Sequence, residues 1–145
     1  MSMNVRRLSS AEEEQLDSWM LLGLECLPRE QNQEAEHFVI LSIHAIVQNI
    51  RAGVTLPQEH SQEEICHGLG AIYGEQFCLL HDWEWVYLSI SGQEEGIAIV
   101  NQERNRALFP FSSMLRWSQK EHEHRSLVLW TALEENTLGA SFLLD

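Results

Sequence analysis

The chain has 145 residues, of which 44% are hydrophobic, and a formal net charge of −13 at pH 7. This length fits one domain that can bury a core without a metal or disulfide bonds. The excess of acid disfavours nucleic acid and anionic membrane surfaces as partners, since binding to either depends on Lys and Arg.

The negative charge is concentrated in the middle of the chain. No Lys or Arg occurs between Arg51 and Arg104, and that interval carries nine carboxylates: Glu59, Glu63, Glu64, Glu75, Asp82, Glu84, Glu94, Glu95 and Glu103. A field of one sign accelerates encounter with a basic partner. The alternative is that the net charge serves only to keep the chain soluble.

The cysteines and the first residues bear on localisation. Cys26, Cys66 and Cys78 form an odd set without framework spacing, which is typical of reduced thiols in the cytoplasm. The N-terminal stretch lacks the apolar region of a signal peptide. The longest apolar run, Phe38 to Ile50, is too short to span a bilayer. We therefore expect a cytoplasmic protein.

Three helices are predicted in the first half of the chain. The first begins at Ser9 or Ser10, with Glu12 or Glu13 at capping-box spacing, and stops at Pro28. The second runs from about Gln33 to Arg51 and has the widest apolar face, so we expect it to be the most buried. A loop with Pro57 leads to the third.

The third helix has the clearest start, an S-x-x-E box formed by Ser61 and Glu64. Gly68, Gly70 and Gly74 are unfavourable inside a helix by about 1 kcal/mol each relative to alanine. They predict close approach of another backbone, for which the second helix or the sheet is the expected neighbour.

Three strands follow, at Trp83–Ile90, Ile97–Asn101 and Arg106–Phe109. Their short connections favour antiparallel pairing. Pro110 ends the last strand because it has no N–H to donate. Ser112 or Ser113 is the predicted cap of a short helix, and Ser126 that of a last helix, although the run LVLW is also compatible with a strand.

These elements predict an α+β fold, with a three- or four-stranded antiparallel meander packed with N-terminal, central and C-terminal helices. We expect a single domain over residues 1–145. Its parts are a helical cover over 1–56, a helix-meander core over 61–117 and a C-terminal segment over 118–145.

About two-fifths of the chain, in its central part, resembles a group of uncharacterised bacterial α+β domains. The shared features are the G-x-x-Y-G-E pattern at Gly70 to Glu75, then W-E-W, A-I-V and P-F-x-x-M. In that group a glycine-broken helix leads into a Trp-bearing hairpin and a Pro-to-helix corner. The resemblance extends from Ser61 to Trp117. It implies a fold but no activity and no functional residues.

Several kinds of chemistry receive little support from the residue spacing. No C-x-x-C or H-x-x-x-H pattern occurs, so neither a metal nor another cofactor is expected. A Cys–His nucleophile could use Cys78 with His81 or Cys66 with His60, but neighbouring acids would raise the thiol pKa. Carboxylate catalysis could use Glu75, Asp82 and Glu84 near the first predicted strand. We expect no catalytic residues.

The leading hypothesis is a non-enzymatic protein that binds a basic protein partner through an acidic surface. Trp83 and Trp85 beside this surface would be either interface anchors or core. The predicted partner-binding residues are Asp82, Glu84, Glu94, Glu95 and Glu103. The most concrete form is a bacterial immunity-type protein that neutralises a toxin. The alternatives are a secretion chaperone for an effector and a small enzyme using carboxylates near the first predicted strand.

Overall fold

The computed structural model describes residues 3–28, 38–54 and 60–145. Its elements in chain order are β1 (Met3–Arg6), α1 (Ser10–Cys26), α2 (Phe38–Arg51), α3 (Gln62–His81), β2 (Glu84–Ile90), β3 (Glu95–Val100), β4 (Ala107–Leu108), α4 (Pro110–Trp117) and α5 (Ser126–Glu134). The predicted α+β fold, with helices packed on an antiparallel meander, is confirmed.

The sheet has the order β1-β2-β3-β4, and every neighbouring pair is antiparallel. The sequence analysis did not predict β1, whose four residues pair with the second half of β2. The predicted third strand is shorter than expected, because only Ala107 and Leu108 pair with β3. Ala107 also forms a parallel bridge with Leu143 near the end of the chain, in which the Ala107 N–H donates to the Phe142 oxygen at 2.7 Å.

Both predicted capping boxes are confirmed. Ser9 caps α1, where its side chain accepts from the Glu12 N–H while the Glu12 carboxylate accepts from the Ser9 N–H. Ser61 and Glu64 make the same reciprocal pair at the start of α3. Each box satisfies two backbone donors that have no partner within the helix.

The most buried helix is α3, with ten buried residues against three in α2, so the prediction that the second helix is the most buried is wrong. The glycines explain the burial. A Cβ on Gly68 would lie 2.7 Å from the backbone nitrogen of Gly23 in α1, and one on Gly70 would lie 2.9 Å from the Pro110 oxygen. One on Gly74 would meet the Trp85 ring. Of the two expected neighbours, the sheet meets Gly74 through Trp85, whereas α1 and α4 take the place of α2 at Gly68 and Gly70.

The second half of the chain corrects two helix starts. Phe109 is the N-cap of α4 and Pro110 its first residue, so the predicted caps Ser112 and Ser113 are wrong. Proline suits the first helical position because that N–H has no partner within the helix. Ser126 is the first residue of α5, and the strand alternative for LVLW is wrong.

Two predictions fall outside the described residues. The expected start of the second helix at Gln33 and the loop containing Pro57 belong to segments for which no structure is given. The described part of α2 ends at Arg51, as predicted.

The core consists of two clusters that follow the alternation of side chains along the sheet. Ile99 and Leu108 join the helices in the larger cluster. Val86, Leu88 and Ile90 form the smaller one, against which Val5, Phe142 and Leu143 pack. Three tryptophans are buried, namely Trp83, Trp117 and Trp130. The other two, Trp19 and Trp85, are half-buried.

Candidate functional site

The five predicted binding residues lie at two opposite ends of the β2–β3 hairpin. Glu94 and Glu95 stand at its turn, while Asp82, Glu84 and Glu103 stand at the other end. Glu95 pairs with Ser89, five residues along β2 from Glu84, which corresponds to about 17 Å of strand. The structure therefore brings two of the five together and separates them from the other three.

At the end of the hairpin near Asp82, one carboxylate is already paired with an arginine. Arg104 donates from Nη2 to Glu84 Oε1 at 2.8 Å, and both side chains are half-exposed. Asp82 adopts the left-handed conformation (φ 59°) that ends α3, and Glu103 accepts from Asn105 Nδ2 at 3.4 Å. These acids are exposed, and one of the three, Glu84, is already paired with a cation.

At the turn end, three half-buried rings and three carboxylates line a cleft of about 290 Å³. We call this the acidic aromatic cleft. The rings are Trp19 of α1, His67 of α3 and Phe111 of α4; the carboxylates are Glu63, Glu94 and Glu95. Gly96, Ile97, Phe109, Ser112 and Leu115 complete the lining. None of the residues that line it in the described ranges is a lysine or an arginine.

The rings of the cleft pack on one another. The Trp19 centroid lies 4.4 Å from that of Phe111 and 4.9 Å from that of His67, with the imidazole stacked at 24° to the indole. His67 Nδ1 lies 2.9 Å from the Glu63 carbonyl oxygen. A carbonyl only accepts, so Nδ1 carries a proton and Nε2 of the neutral ring is an acceptor. The rings are thus held in place while remaining half-buried.

Hydrogen bonds fix the two carboxylates of the hairpin turn. Ser112 Oγ donates to Glu94 Oε2 at 2.5 Å, and the Tyr87 hydroxyl donates to Glu95 Oε2 at 3.0 Å. In both cases the bond uses one carboxylate oxygen. An ionised carboxylate has about four acceptor positions, so each retains capacity for a further donor.

Arg6, whose charge also interacts with that of Glu95, is bonded to another carboxylate. Arg6 forms a two-pronged bond with Glu12, at 2.8 and 2.9 Å, and its guanidinium lies 4.1 Å from the centroid of the Tyr87 ring. The bond from Arg6, with a smaller contribution from the Ser9 backbone, lowers the pKa of Glu12 to about 2. The charge of Arg6 therefore neutralises Glu12 more than Glu95.

A second groove continues from the cleft between α1 and the start of α3. It has a volume of about 480 Å³, and Trp19 and His67 separate it from the cleft because both line the two spaces. Glu25 and Glu64 line it as well, and each lies 3.7 Å from His60. Acidic and aromatic surface therefore runs without a break from the hairpin turn to α1.

The thiols have the properties of buried side chains. Burial, followed by the charges of Glu75 and Glu84, raises the pKa of Cys78 to about 12. Burial also raises the pKa of Cys66. Both thiols are therefore protonated at neutral pH, whereas a nucleophilic cysteine acts as the thiolate.

In residues 3–28, 38–54 and 60–145, no three His, Cys, Asp or Glu side chains are grouped so as to hold a metal ion. Over the same ranges, no helix has the length and apolar character needed to cross a bilayer.

Sequence reasoning did not assign Trp19, His67 and Phe111 to a site. Trp19 falls within the first predicted helix and His67 within the third, and no motif includes either of them. Phe111 follows Pro110 without a signal of its own. Nothing in the spacing connects positions 19, 67 and 111, because packing at Gly23, Gly68 and Gly70 brings them together.

Comparison with known proteins adds no assignment. The chain matches no protein-family model, no curated protein and no solved structure. The functional argument therefore depends on the geometry of the cleft.

Proposed function

We propose that this chain is a non-enzymatic binding protein that engages a basic protein partner through the acidic aromatic cleft. The observation that supports this proposal is the combination of three carboxylates with three half-buried rings and no lining Lys or Arg. Aromatic anchors surrounded by polar side chains are the usual anatomy of a protein interface.

The charge distribution favours rapid encounter with such a partner. The cleft and the adjoining α1–α3 groove contribute five carboxylates to one continuous surface: Glu25, Glu63, Glu64, Glu94 and Glu95. Aligned charges of one sign accelerate association, and salt screens the effect over a Debye length of about 8–10 Å. We therefore infer an association rate that falls as ionic strength rises.

The most concrete form of this proposal is a bacterial immunity-type protein that acts in the cytoplasm. Toxins that attack nucleic acid carry a basic surface, since they must bind phosphates. An acidic surface with aromatic anchors is complementary to such a surface. The partner would then be the toxin itself, blocked in a one-to-one complex.

The test compares two charge reversals of equal size. Glu94→Lys/Glu95→Lys changes the cleft, and Glu121→Lys/Glu123→Lys changes the exposed connector between α4 and α5. Each double variant raises the net charge by four. With extracts of the native host, the wild type and the connector variant should capture the same basic protein, which the cleft variant should lose. With the purified partner, the cleft reversal should slow association at least tenfold at low salt.

Equal capture by both variants would remove the cleft from the interface. Thermal unfolding of each variant serves as the control, because Glu94→Lys also removes the bond from Ser112. If the cleft variant remains folded but binds normally, the proposed function is wrong.

The secretion chaperone is the second candidate, because some leucines are uncovered. Leu21 and Leu24 of α1 are 66% and 58% exposed, and Leu79 of α3 is 68% exposed. Chaperones of this size usually dimerise through an apolar face. Light scattering of the purified chain decides between the two: a dimer that Leu21→Ser/Leu24→Ser dissociates would favour the chaperone, and a monomer would exclude a constitutive dimer of this kind.

A further inference from the structure

We propose that the acidic aromatic cleft receives a single arginine side chain of the basic partner. This inference rests on the proposed function and names the group that the cleft recognises. The guanidinium would lie against the rings of Trp19 and Phe111 and donate to the carboxylates of Glu63 and Glu94.

The size of the cleft favours one side chain. Pockets for drug-sized ligands span roughly 300–1,000 Å³, so a volume of about 290 Å³ lies just below that range. The lining contributes rings and carboxylates, and among its described residues it contributes no cation. Such a site attracts a group that is at once flat, positively charged and rich in donors.

Arginine meets these requirements better than lysine. Its planar guanidinium stacks on aromatic faces and presents five N–H donors in a fixed arrangement, whereas the ammonium of lysine is compact and strongly hydrated. The acceptors available in the cleft are the Glu63 carboxylate and the remaining acceptor positions of Glu94 and Glu95. Several acceptors beside stacked rings suit a forked donor.

The molecule contains an internal example of the same chemistry. The Arg6 guanidinium lies 4.1 Å from the Tyr87 centroid while it makes two bonds to the Glu12 carboxylate. The cleft contributes aromatic rings and carboxylates of the same kind, and among its described lining residues there is no guanidinium. An arginine from outside would complete the arrangement that Arg6 makes within the chain.

The α1–α3 groove would bind the partner residues that adjoin this arginine. Glu25 and Glu64 lie beyond the partition formed by Trp19 and His67. A basic segment with its arginine in the cleft would place a neighbouring cation beside these two acids. The proposed ligand is therefore an extended segment with one arginine anchor and a flanking basic residue.

The experiment uses a set of short synthetic peptides that differ at one position. The sequence Gly-Ser-Lys-Gly-X-Gly-Ser carries arginine, lysine, trimethyllysine or citrulline at X, and isothermal titration with the whole chain gives each Kd. We expect arginine to bind roughly two- to tenfold more tightly than lysine. Citrulline keeps the shape of arginine without its charge, and should bind at least tenfold more weakly.

Variants at position 19 locate the effect. Trp19→Leu should remove the preference for arginine over lysine, whereas Trp19→Phe, which restores a ring, should retain most of it. The indole N–H signals in NMR spectra of the wild type with the arginine peptide provide a second readout, in which the Trp19 signal should shift most. Both variants are checked for folding by their thermal unfolding.

Each outcome bears on this inference or on the proposed function. Equal binding of the arginine and lysine peptides, tighter binding of trimethyllysine, or a preference that persists in Trp19→Leu would overturn the arginine assignment. Any of these would leave the proposed function intact, provided that the native partner is still lost on Glu94→Lys/Glu95→Lys. Loss of that charge dependence would overturn both.

Discussion

At the scale of single residues, two glycines allow two neighbouring helices to pack closely. Gly23 of α1 and Gly68 of α3 pack so closely that a Cβ on Gly23 would lie 2.2 Å from the Gly68 carbonyl oxygen and 2.5 Å from Ile72 Cγ1. No Cβ approaches a backbone oxygen at such a distance. The α1–α3 contact, which also positions Trp19 against His67, therefore requires glycine at position 23.

Gly23→Ala tests this contact. Overpacking costs about 1–3 kcal/mol, and replacing a helical glycine returns about 1 kcal/mol. Because the obstructing atom belongs to the backbone and cannot rotate away, we expect a net loss of about 1–2 kcal/mol in the free energy of unfolding, measured by urea titration.

Gly139→Ala is the matched control for that substitution. No atom lies within 4 Å of the added methyl group at this position. We expect a change within about 0.5 kcal/mol. Equal effects at both positions would show that the close α1–α3 contact is not what position 23 contributes.

These glycines show how far residue-level reasoning reaches. Three glycines within a predicted helix indicated close neighbours on α3, which the structure confirms. The elements that contact these glycines could not be predicted, because an unfavourable glycine in a helix does not indicate which other element packs against it. The glycine of α1 at position 23 carried no signal in the sequence.

At the scale of elements, one arginine joins the end of α2 to the connector between α4 and α5. Arg51 Nη1 lies within 2.7–2.8 Å of three backbone oxygens, those of Trp117, Gln119 and His122. This nitrogen has two hydrogens, so at least one is shared between two carbonyls. The connector depends on Arg51 for these bonds.

Arg51→Gln should destabilise the fold by about 1–3 kcal/mol, because hydrogen bonds to a charged group are lost at a partly buried site. Hydrogen exchange should accelerate in residues 117–124 more than in α3. Arg104→Gln provides the contrast, since it removes the exposed pair with Glu84 and should cost less than about 1 kcal/mol. A larger loss at position 104 would contradict this account.

Helices and the hairpin were predicted correctly where the residues that determine them lie close together in the sequence. The capping boxes at Ser9 and Ser61 and the short β2–β3 connection are contained within a few residues, and all three are confirmed. Strand β1 was missed because four residues carry too little pattern, and because its partner β2 lies some 80 residues away in the sequence. The start of α4 was misplaced because Pro110 both ends a strand and begins a helix.

At the scale of the whole molecule, stability should respond to mild acid through one histidine. His124 stacks on His44 at a centroid distance of 4.6 Å, and its Nε2 lies 2.5 Å from Ser126 Oγ. Burial first, then the charges of His44 and Arg51, lowers the pKa of His124 from 6.5 to about 4. Between these values the unfolded chain binds a proton that the folded chain does not.

Stability should therefore fall as the pH drops from about 6.5 towards 4. One proton accounts for at most about 1.4 kcal/mol per pH unit. Urea unfolding at pH 7.5, 6.0 and 5.0 measures the trend. In His124→Gln the decline should be smaller, while His122→Gln, at an exposed position, should follow the wild type. The comparison isolates His124 because the three proteins share all other charges.

Carboxylates act in a lower range of pH. Glu12 has its pKa lowered to about 2 by Arg6, and the pKa of Asp145 is lowered by hydrogen bonds from Arg116 and Trp117 in spite of burial. Their contributions to the free energy of unfolding are fully present above the pKa values of these groups in the unfolded chain and are lost below about pH 4. A decline of the same size in His124→Gln as in the wild type would show that other groups dominate between pH 6.5 and 5.

The candidate site was the least predictable part of the chain. Counting charges indicated an acidic middle, and Glu94 and Glu95 do lie together beside the cleft. Linear order could not reveal that Asp82, Glu84 and Glu103 stand at the far end of the same hairpin. Nor could it reveal that rings from three separate helices complete the site, since that depends on tertiary packing.

The wall of the cleft is supported from within the core. Gly70 is fully enclosed in α3, and a methyl group there would meet the Pro110 oxygen at 2.9 Å and Phe111 Cδ1 at 3.1 Å. An added side chain at position 70 would therefore displace Pro110 or Phe111, both of which adjoin or line the cleft. A substitution at this buried position can therefore alter ligand preference without changing any exposed residue. A library intended to alter specificity should include position 70.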